Sequence, residues 1–383
     1  MIPFIDLISQ QLRIRPQLEA AMLRVLDHGG YIMGPEVYEL EQRLSTFCGA
    51  RHTLSCSNGT DAIALILMAK NVGPGDAIFV PSFTFAATAE VVAWMGATVV
   101  FIDVLDDTFN MDPSSLEKGI QKAKHLNLRP CGIIPVDLFG QAADYDGIHP
   151  LAEEHGLWVI ADAAQSFGGT YKGRKIGALA ESTTTSFYPS KPLGCYGDAG
   201  AVFTEDTDLL SVLQSIRVHG QGEGEDKYQN IRVGITGRCD TLQAAILIEK
   251  LTLFPEEIAL RQQVADRYTE GLADVVITPF IQKDCQSVWA QYTIKVDPEK
   301  RSEIMAGLKA EGIPTMIHYP LPLHHQKAYN HYPCATDTLP VSEALANCVL
   351  SLPMHPYLEP QVQDHIISCL RNVVTQVGAK KAA

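Results

Sequence analysis

The chain has 383 residues, of which 30 are Lys or Arg and 44 Asp or Glu, for a formal net charge of −14. This balance excludes non-specific nucleic-acid binding, which needs a basic face, but leaves room for a phosphorylated ligand held by a local cluster of donors. A hydrophobic content of 46% and a charged content of 19% describe a folded globular chain too long for one typical core.

The expected division is a large domain over residues 1–245 and a smaller α/β domain over 246–383. The opening MIPFIDLISQQ lacks the basic segment and apolar run of a signal peptide, and no apolar stretch is long enough for a membrane span. The nine cysteines are scattered without CxxC or Cys/His metal spacing, which suits buried thiols in a reducing cytoplasm. No metal site is expected.

Short apolar β-rich runs at 77–80, 98–103, 132–137 and 157–161 alternate with longer helical stretches. Such alternation predicts a mostly parallel sheet covered by helices. The stretch SCSNGTDAI (55–63) leads from a β-like run into a helix start. Its unpaired N–H groups suit a phosphate, with Gly59 allowing close approach and Thr60 adding a hydroxyl; an ordinary N-cap explains the same residues. The helices predicted at 61–69 and 86–95 are apolar almost all round, as expected of helices packed on the sheet.

In VIADAAQS (159–166) a strand delivers Asp162 at its carboxyl end, where ligands of open α/β sheets bind. A carboxylate there can pair with a protonated ring nitrogen, and Gln165 can reach a ring oxygen; a turn-capping role for Asp162 is equally open. The β-prone run ending at Ser186 leads into the turn Tyr188-Pro189-Ser190, which presents Lys191. A lysine with a lowered pKa can form a Schiff base with an aldehyde cofactor, although most lysines are merely solvated. Ser186 is close enough to donate to the same phosphate.

The Gly-rich acidic segment 220–226 predicts a surface loop, followed by an amphipathic helix over 241–261 with a bend at Phe254-Pro255. Arg238 suits a carboxylate, or else a salt bridge to Asp240. His318 and Tyr319 can line a polar pocket, or His318 can be a satisfied core residue. A strand is predicted over 292–296, and residues 378–383 are expected to fray.

Taken together these motifs resemble the DegT/StrS-type sugar aminotransferases, a group of fold-type I pyridoxal-phosphate (PLP) enzymes. The matching stretches are FIDL (4–7), YIMGPEV (31–37), SNGTDAI (57–63), PSFTFAATAE (81–90), DAAQSFG (162–168), SFYPSKPLGCYGDAGA (186–201), GRCDTLQAAIL (237–247), HYPLPL (318–323) and SLPMHPYL (351–358). The likeness implies Lys191 as the Schiff-base lysine and proton shuttle, and Asp162 as partner of the pyridinium nitrogen. It implies Gln165 at the ring hydroxyl, Gly59, Thr60 and Ser186 at the phosphate, and Phe85 stacked on the ring. It also implies a homodimer in which the loop around 235–238 reaches the partner's site.

Thr236 departs from the pattern, because the family usually has Asn there as a phosphate donor. The likeness is closest to a subgroup acting on UDP-2-acetamido-2-deoxy-3-oxo-glucuronate with L-glutamate as donor, passing through pyridoxamine 5′-phosphate, in bacterial surface polysaccharide and O-antigen synthesis. Arg238, His318 and Tyr319 are the expected clamp for the sugar carboxylate, and Tyr31 a candidate for the uridine. The rival readings are an aminotransferase for a 4-keto or other 3-keto sugar nucleotide and a non-catalytic PLP-binding regulator. The related dehydratases lack the lysine that stands here at 191, and no GxGxxG follows the first strand to suggest a nucleotide-binding oxidoreductase.

Overall fold

The computed structural model describes residues 2–222 and 228–379. Of the loop expected at 220–226 only 220–222 are described. Of the end expected to fray, only the helical backbone of 378–379 is.

The strands are β1 (His52–Cys56), β2 (Asp76–Pro81), β3 (Thr98–Ile102), β4 (Arg129–Ile133), β5 (Trp158–Asp162), β6 (Thr170–Tyr171), β7 (Arg174–Lys175), β8 (Ser182–Ser186), β9 (Gly200–Thr204), β10 (Cys285–Gln286), β11 (Tyr292–Lys295) and β12 (Val349–Leu352). Seven of them form the main sheet in the order β1-β9-β8-β5-β4-β2-β3. β3, β2, β4, β5 and β8 pair in parallel, while β9 pairs antiparallel with both β8 and β1, so β9 alone runs against the rest. β2 is buried at every position and β3 at all but its first, as a sheet covered on both faces requires.

The helices are α1 (Leu7–Arg13), α2 (Arg15–His28), α3 (Pro35–Cys48), α4 (Gly59–Ala69), α5 (Ala87–Trp94), α6 (Pro113–His125), α7 (Tyr145–His155), α8 (Thr207–Arg217), α9 (Thr241–Leu272), α10 (Arg301–Ala310), α11 (Pro340–Cys348) and α12 (Pro360–Ala379). In α4 every side chain from Ala62 to Leu67 is buried, because the helix lies on the sheet packed against α5 and α8. Among the described residues no helix is long and apolar enough to cross a membrane. The architecture is a mostly parallel sheet between helices followed by a smaller α/β portion, as the resemblance implies.

Two elements differ from their sequence reading. The strand expected at 132–137 pairs over 129–133 instead. Pro135 has no N–H for a ladder, and beyond Ile133 only Val136 bridges across, to Asp162. The helix expected to end at 261 runs through Pro255 to Leu272. Packing on both halves explains its length. Ala244, Leu247, Phe254 and Ile258 join the core around Phe167 and Phe187, and the Phe254 and Phe167 rings lie parallel with centroids 6.2 Å apart. From Val264 the same helix packs against β11, β12, α10 and α12.

Candidate active site

Sheet topology gathers the first group of residues. Cys56 of β1 and Ser186 of β8 both lie opposite Gly200, the first residue of β9. The turn after β1 is thereby pressed against the end of β8. A Cβ on Gly59 would stand 2.7 Å from Ser186 Cβ, and one on Gly200 would stand 2.5 Å from the Asn58 carbonyl. Only glycine fits at either point, and the tight approach sets the N-terminus of the 11-residue α4 beside the Ser186 hydroxyl. Asn58 caps that helix, its Oδ1 accepting from Asp61 N at 2.7 Å. The N-cap reading is thus correct, and it leaves the N–H groups of the first turn at Gly59 and Thr60 pointing to the carboxyl edge of the sheet, where an anion is favoured.

Asp162 closes β5 on the same edge and is buried. One oxygen accepts from Ala164 N at 3.1 Å, the turn-capping contact. The other accepts from the Thr88 hydroxyl at 2.9 Å. Burial raises the Asp162 pKa, opposed by those two donors and by the charge of Lys191. Lys191 sits on the turn closed by its own N–H to the Tyr188 carbonyl at 2.9 Å. Desolvation lowers its pKa against the opposing pull of Asp162, which favours the free amine that nucleophilic attack needs.

Gln165, three residues beyond Asp162, is held at both ends. Its carbonyl oxygen accepts from Phe139 N at 2.7 Å, and its amide donates to the Tyr319 hydroxyl at 3.0 Å. Phe85, more than half exposed, faces Tyr319 with ring centroids 6.4 Å apart. His318 is bonded through Nδ1 to the Ser351 hydroxyl at 3.0 Å. Burial and the nearby Lys191 charge push it down to about 4, so it is neutral near pH 7.

The remaining expected site residues flank the start of α9, where the Gly237 carbonyl accepts from Ser57 N at 3.1 Å. Thr236 is exposed and its hydroxyl is bonded to His219 Nε2 at 2.7 Å. Tyr31 is half exposed, and its carbonyl accepts from Thr241 N at the start of α9. Arg238 is half-buried with its Nε unpartnered, and the salt bridge to Asp240 is not among those of the described residues. Cys195 and Cys239 are buried packing residues, and burial raises the pKa of both thiols.

Sequence reasoning missed the residues that hold this edge in place. Thr88 lies inside the PSFTFAATAE stretch, where only Phe85 was singled out. Asp137 is fully buried and accepts from Ala143 N, the Tyr145 hydroxyl and the Ser166 hydroxyl, so it anchors the loop that carries Gln165. Burial lifts its pKa to about 7. A lone apolar-to-Asp step after Pro135 was the only local signal for it.

The DegT/DnrJ/EryC1/StrS aminotransferase family profile matches residues 13–371. The chain belongs to that family. It is 50% identical to the UDP-2-acetamido-2-deoxy-3-oxo-D-glucuronate aminotransferase of Pseudomonas aeruginosa, over 97% of this chain and all of that one. A DegT DnrJ EryC1 StrS aminotransferase from Brucella abortus superposes with a TM-score of 0.95 at 50% identity, covering 97% of this chain and 99% of that one. A Bacillus subtilis protein solved with pyridoxamine phosphate (PMP) bound superposes with a TM-score of 0.87 at 30% identity, covering 97% and 83%.

The family member described here is a PLP-dependent aminotransferase, with pyridoxamine 5′-phosphate as the aminated form of its cofactor. The donor set fits that group. A cradle too tight for any Cβ borders the α4 N-terminus, a buried acid ends β5, and a desolvated amine within its electrostatic reach follows β8.

Proposed function

We propose that this chain moves an amino group from L-glutamate to C3 of UDP-2-acetamido-2-deoxy-3-oxo-glucuronate, as a cytoplasmic homodimer serving bacterial surface polysaccharide and O-antigen synthesis. The observation that carries the substrate is the 50% identity to the Pseudomonas aeruginosa enzyme, which extends over the whole of that protein. The reading divides the chain into residues 1–245, which hold the cofactor, and 246–383.

The cofactor, when bound, would supply an electron sink for the reaction at the substrate carbon. The protein supplies position and proton transfer. Lys191 would be the attachment point, and its free Nζ would move the proton at the donor and acceptor carbons. Asp162 keeps the ring nitrogen protonated, Gln165 contacts the ring hydroxyl and Phe85 covers the ring face. Gly59, Thr60 and Ser186 hold the phosphate, joined by Thr236 from the partner subunit.

Arg238, His318 and Tyr319 take the sugar carboxylate, and Tyr31 the uridine. A neutral His318 serves there as an N–H donor and leaves the charge to the guanidinium. The Tyr319 hydroxyl accepts from Gln165, so its own proton is free to donate.

The test is the visible absorption of the purified protein. L-Glutamate should remove the yellow colour of the bound cofactor, the 3-keto uronate should restore it, and Lys191→Ala should show neither change. A colour indifferent to every amino donor would favour a regulatory cofactor-binding protein. Equal restoration by an uncharged 3-keto or a 4-keto sugar nucleotide would reject the uronate.

A further inference from the structure

Beside the residues that hold the cofactor, three further side chains converge where the segment after Tyr319 crosses the end of β2. His324 and His325 lie in a short 3-10 turn, Leu323–His325, and Glu343 lies in the first turn of α11. His324 Nε2 is 3.3 Å and His325 Nε2 is 3.8 Å from the same Glu343 Oε1, and one ligand atom from each residue lies within 4.8 Å of the others. A tetrahedral ion with bonds of about 2.0–2.1 Å sets its ligand atoms roughly 3.3 Å apart, so little movement would bring all three onto one ion.

The geometry behind His324 points the same way. Its Nδ1 is bonded to the buried Ser82 hydroxyl at 2.6 Å, and Ser82 directly follows β2. A partner on one ring nitrogen that orients the other is the usual outer support of a metal-bound imidazole. A plain hydrogen bond between His324 and Glu343 explains one distance; the His325 ring packs on His324 with centroids 4.1 Å apart and turns its Nε2 toward the same oxygen as well. The His325 side chain is 47% exposed, so an ion held here would face water at its fourth position.

We propose that His324, His325 and Glu343 bind one divalent transition-metal ion, with Zn2+ the best chemical match to two imidazoles and a carboxylate. The ion would tie α11 and the chain that carries Tyr319 to the end of β2, and so brace the wall that also bears Phe85.

The test uses the cofactor-loaded protein, freed of metal by a chelator and then titrated with Zn2+ against a chromophoric competitor. One Zn2+ should bind per chain, and His325→Ala and Glu343→Gln should each weaken Kd by about tenfold or more. His325 is on the surface, and glutamine keeps the oxygen that accepts from Leu339 N at 3.2 Å, so both variants should retain the cofactor absorbance that reports a folded enzyme. Co2+ in place of Zn2+ should give visible bands without thiolate charge transfer. Absence of stoichiometric binding, an unchanged Kd in both variants, or a thiolate band from one of the nine cysteines would overturn the site.

Discussion

Thr88→Val tests whether Asp162 is tuned by its hidden donor. Valine keeps the shape of threonine, so the packing of α5 against the sheet is preserved while the 2.9 Å bond to Asp162 Oδ2 is lost. Both residues are buried, and water cannot replace the donor without opening the core. A hydrogen bond to a charged group contributes about 1.5–3 kcal/mol. Burial already drives Asp162 toward its neutral form, and the Thr88 hydroxyl is one of the few contacts opposing it. Without it the free site retreats further to the neutral acid, which a protonated ring nitrogen must re-ionise on binding. Cofactor affinity should therefore fall by roughly tenfold to a hundredfold, the equivalent of that energy. The acidic limb of kcat/KM should also move to higher pH. The assay is cofactor titration followed by visible absorbance at several pH values, with Thr88→Ser as the control that restores the donor. A Kd for Thr88→Val within twofold of the parent at every pH, or a serine variant as weak as valine, would refute the reasoning.

Four further outcomes follow from the same geometry. Gly59→Ala would force a Cβ to 2.7 Å from Ser186 Cβ, and should cost about 1–3 kcal/mol of stability together with most cofactor retention; calorimetry and cofactor titration report both, and an unchanged Kd would count against the cradle. His355 is buried with neither ring nitrogen partnered, and burial pushes it down to about 4 from an ordinary 6.5. The unfolded chain therefore binds more protons between those values, so stability is intact above about pH 6.5 and is lost as pH falls through the window. Urea unfolding of His355→Gln should lose less stability across that window than the parent, and parallel curves would contradict this. Thr236→Asn should tighten cofactor binding a few-fold in the same titration, because the threonine hydroxyl is short and already engaged by His219; no gain would remove Thr236 from the phosphate site. Arg238→Ala should raise KM for the uronate far more than for an uncharged analogue in steady-state assays, and equal effects would free Arg238 of that role.

The parts of the site legible in the sequence are those carried by one strand and the turn after it. Asp162 ends an apolar run, Ser186 ends a β-branched one, and Gly59 opens a helix that is apolar from Ala62 onward, so each announces its position locally. The parts that were not legible depend on pairs far apart in sequence. Thr88 meets Asp162 across 74 residues and Gln165 meets Tyr319 across 154, separations on which no periodicity comments. The strand edge at 134–137 was misread because an apolar run looks the same whether or not its ladder continues, and only Pro135 marks the stop. The end of α9 was set too early, at 261, because its last turns are held by burial against β11, β12, α10 and α12, partners distant in the chain. Tyr31, Thr236 and Arg238 flank the approach to α9, beside the turn after β1. If the proposed dimer exists, their targets lie on another copy of the chain.

The electrostatics of Asp162 and Lys191 also bear on how the cofactor is kept. Burial pushes the acid up and the amine down, so both are driven toward neutrality, and each opposes the shift of the other by its charge. An acid and an amine so placed are costly to ionise in the free protein. A ligand that brings a protonated ring nitrogen to Asp162 and consumes the free amine of Lys191 relieves both costs at once. Cofactor binding should then stabilise the fold, by the mass-action relation between free ligand and Kd. Lys191→Ala removes the amine but not the buried acid. If this account holds, cofactor should still raise the melting temperature of that variant, by less than in the parent. A variant that cofactor leaves unmoved would mean that the covalent link carries the whole coupling and that Asp162 adds nothing to retention.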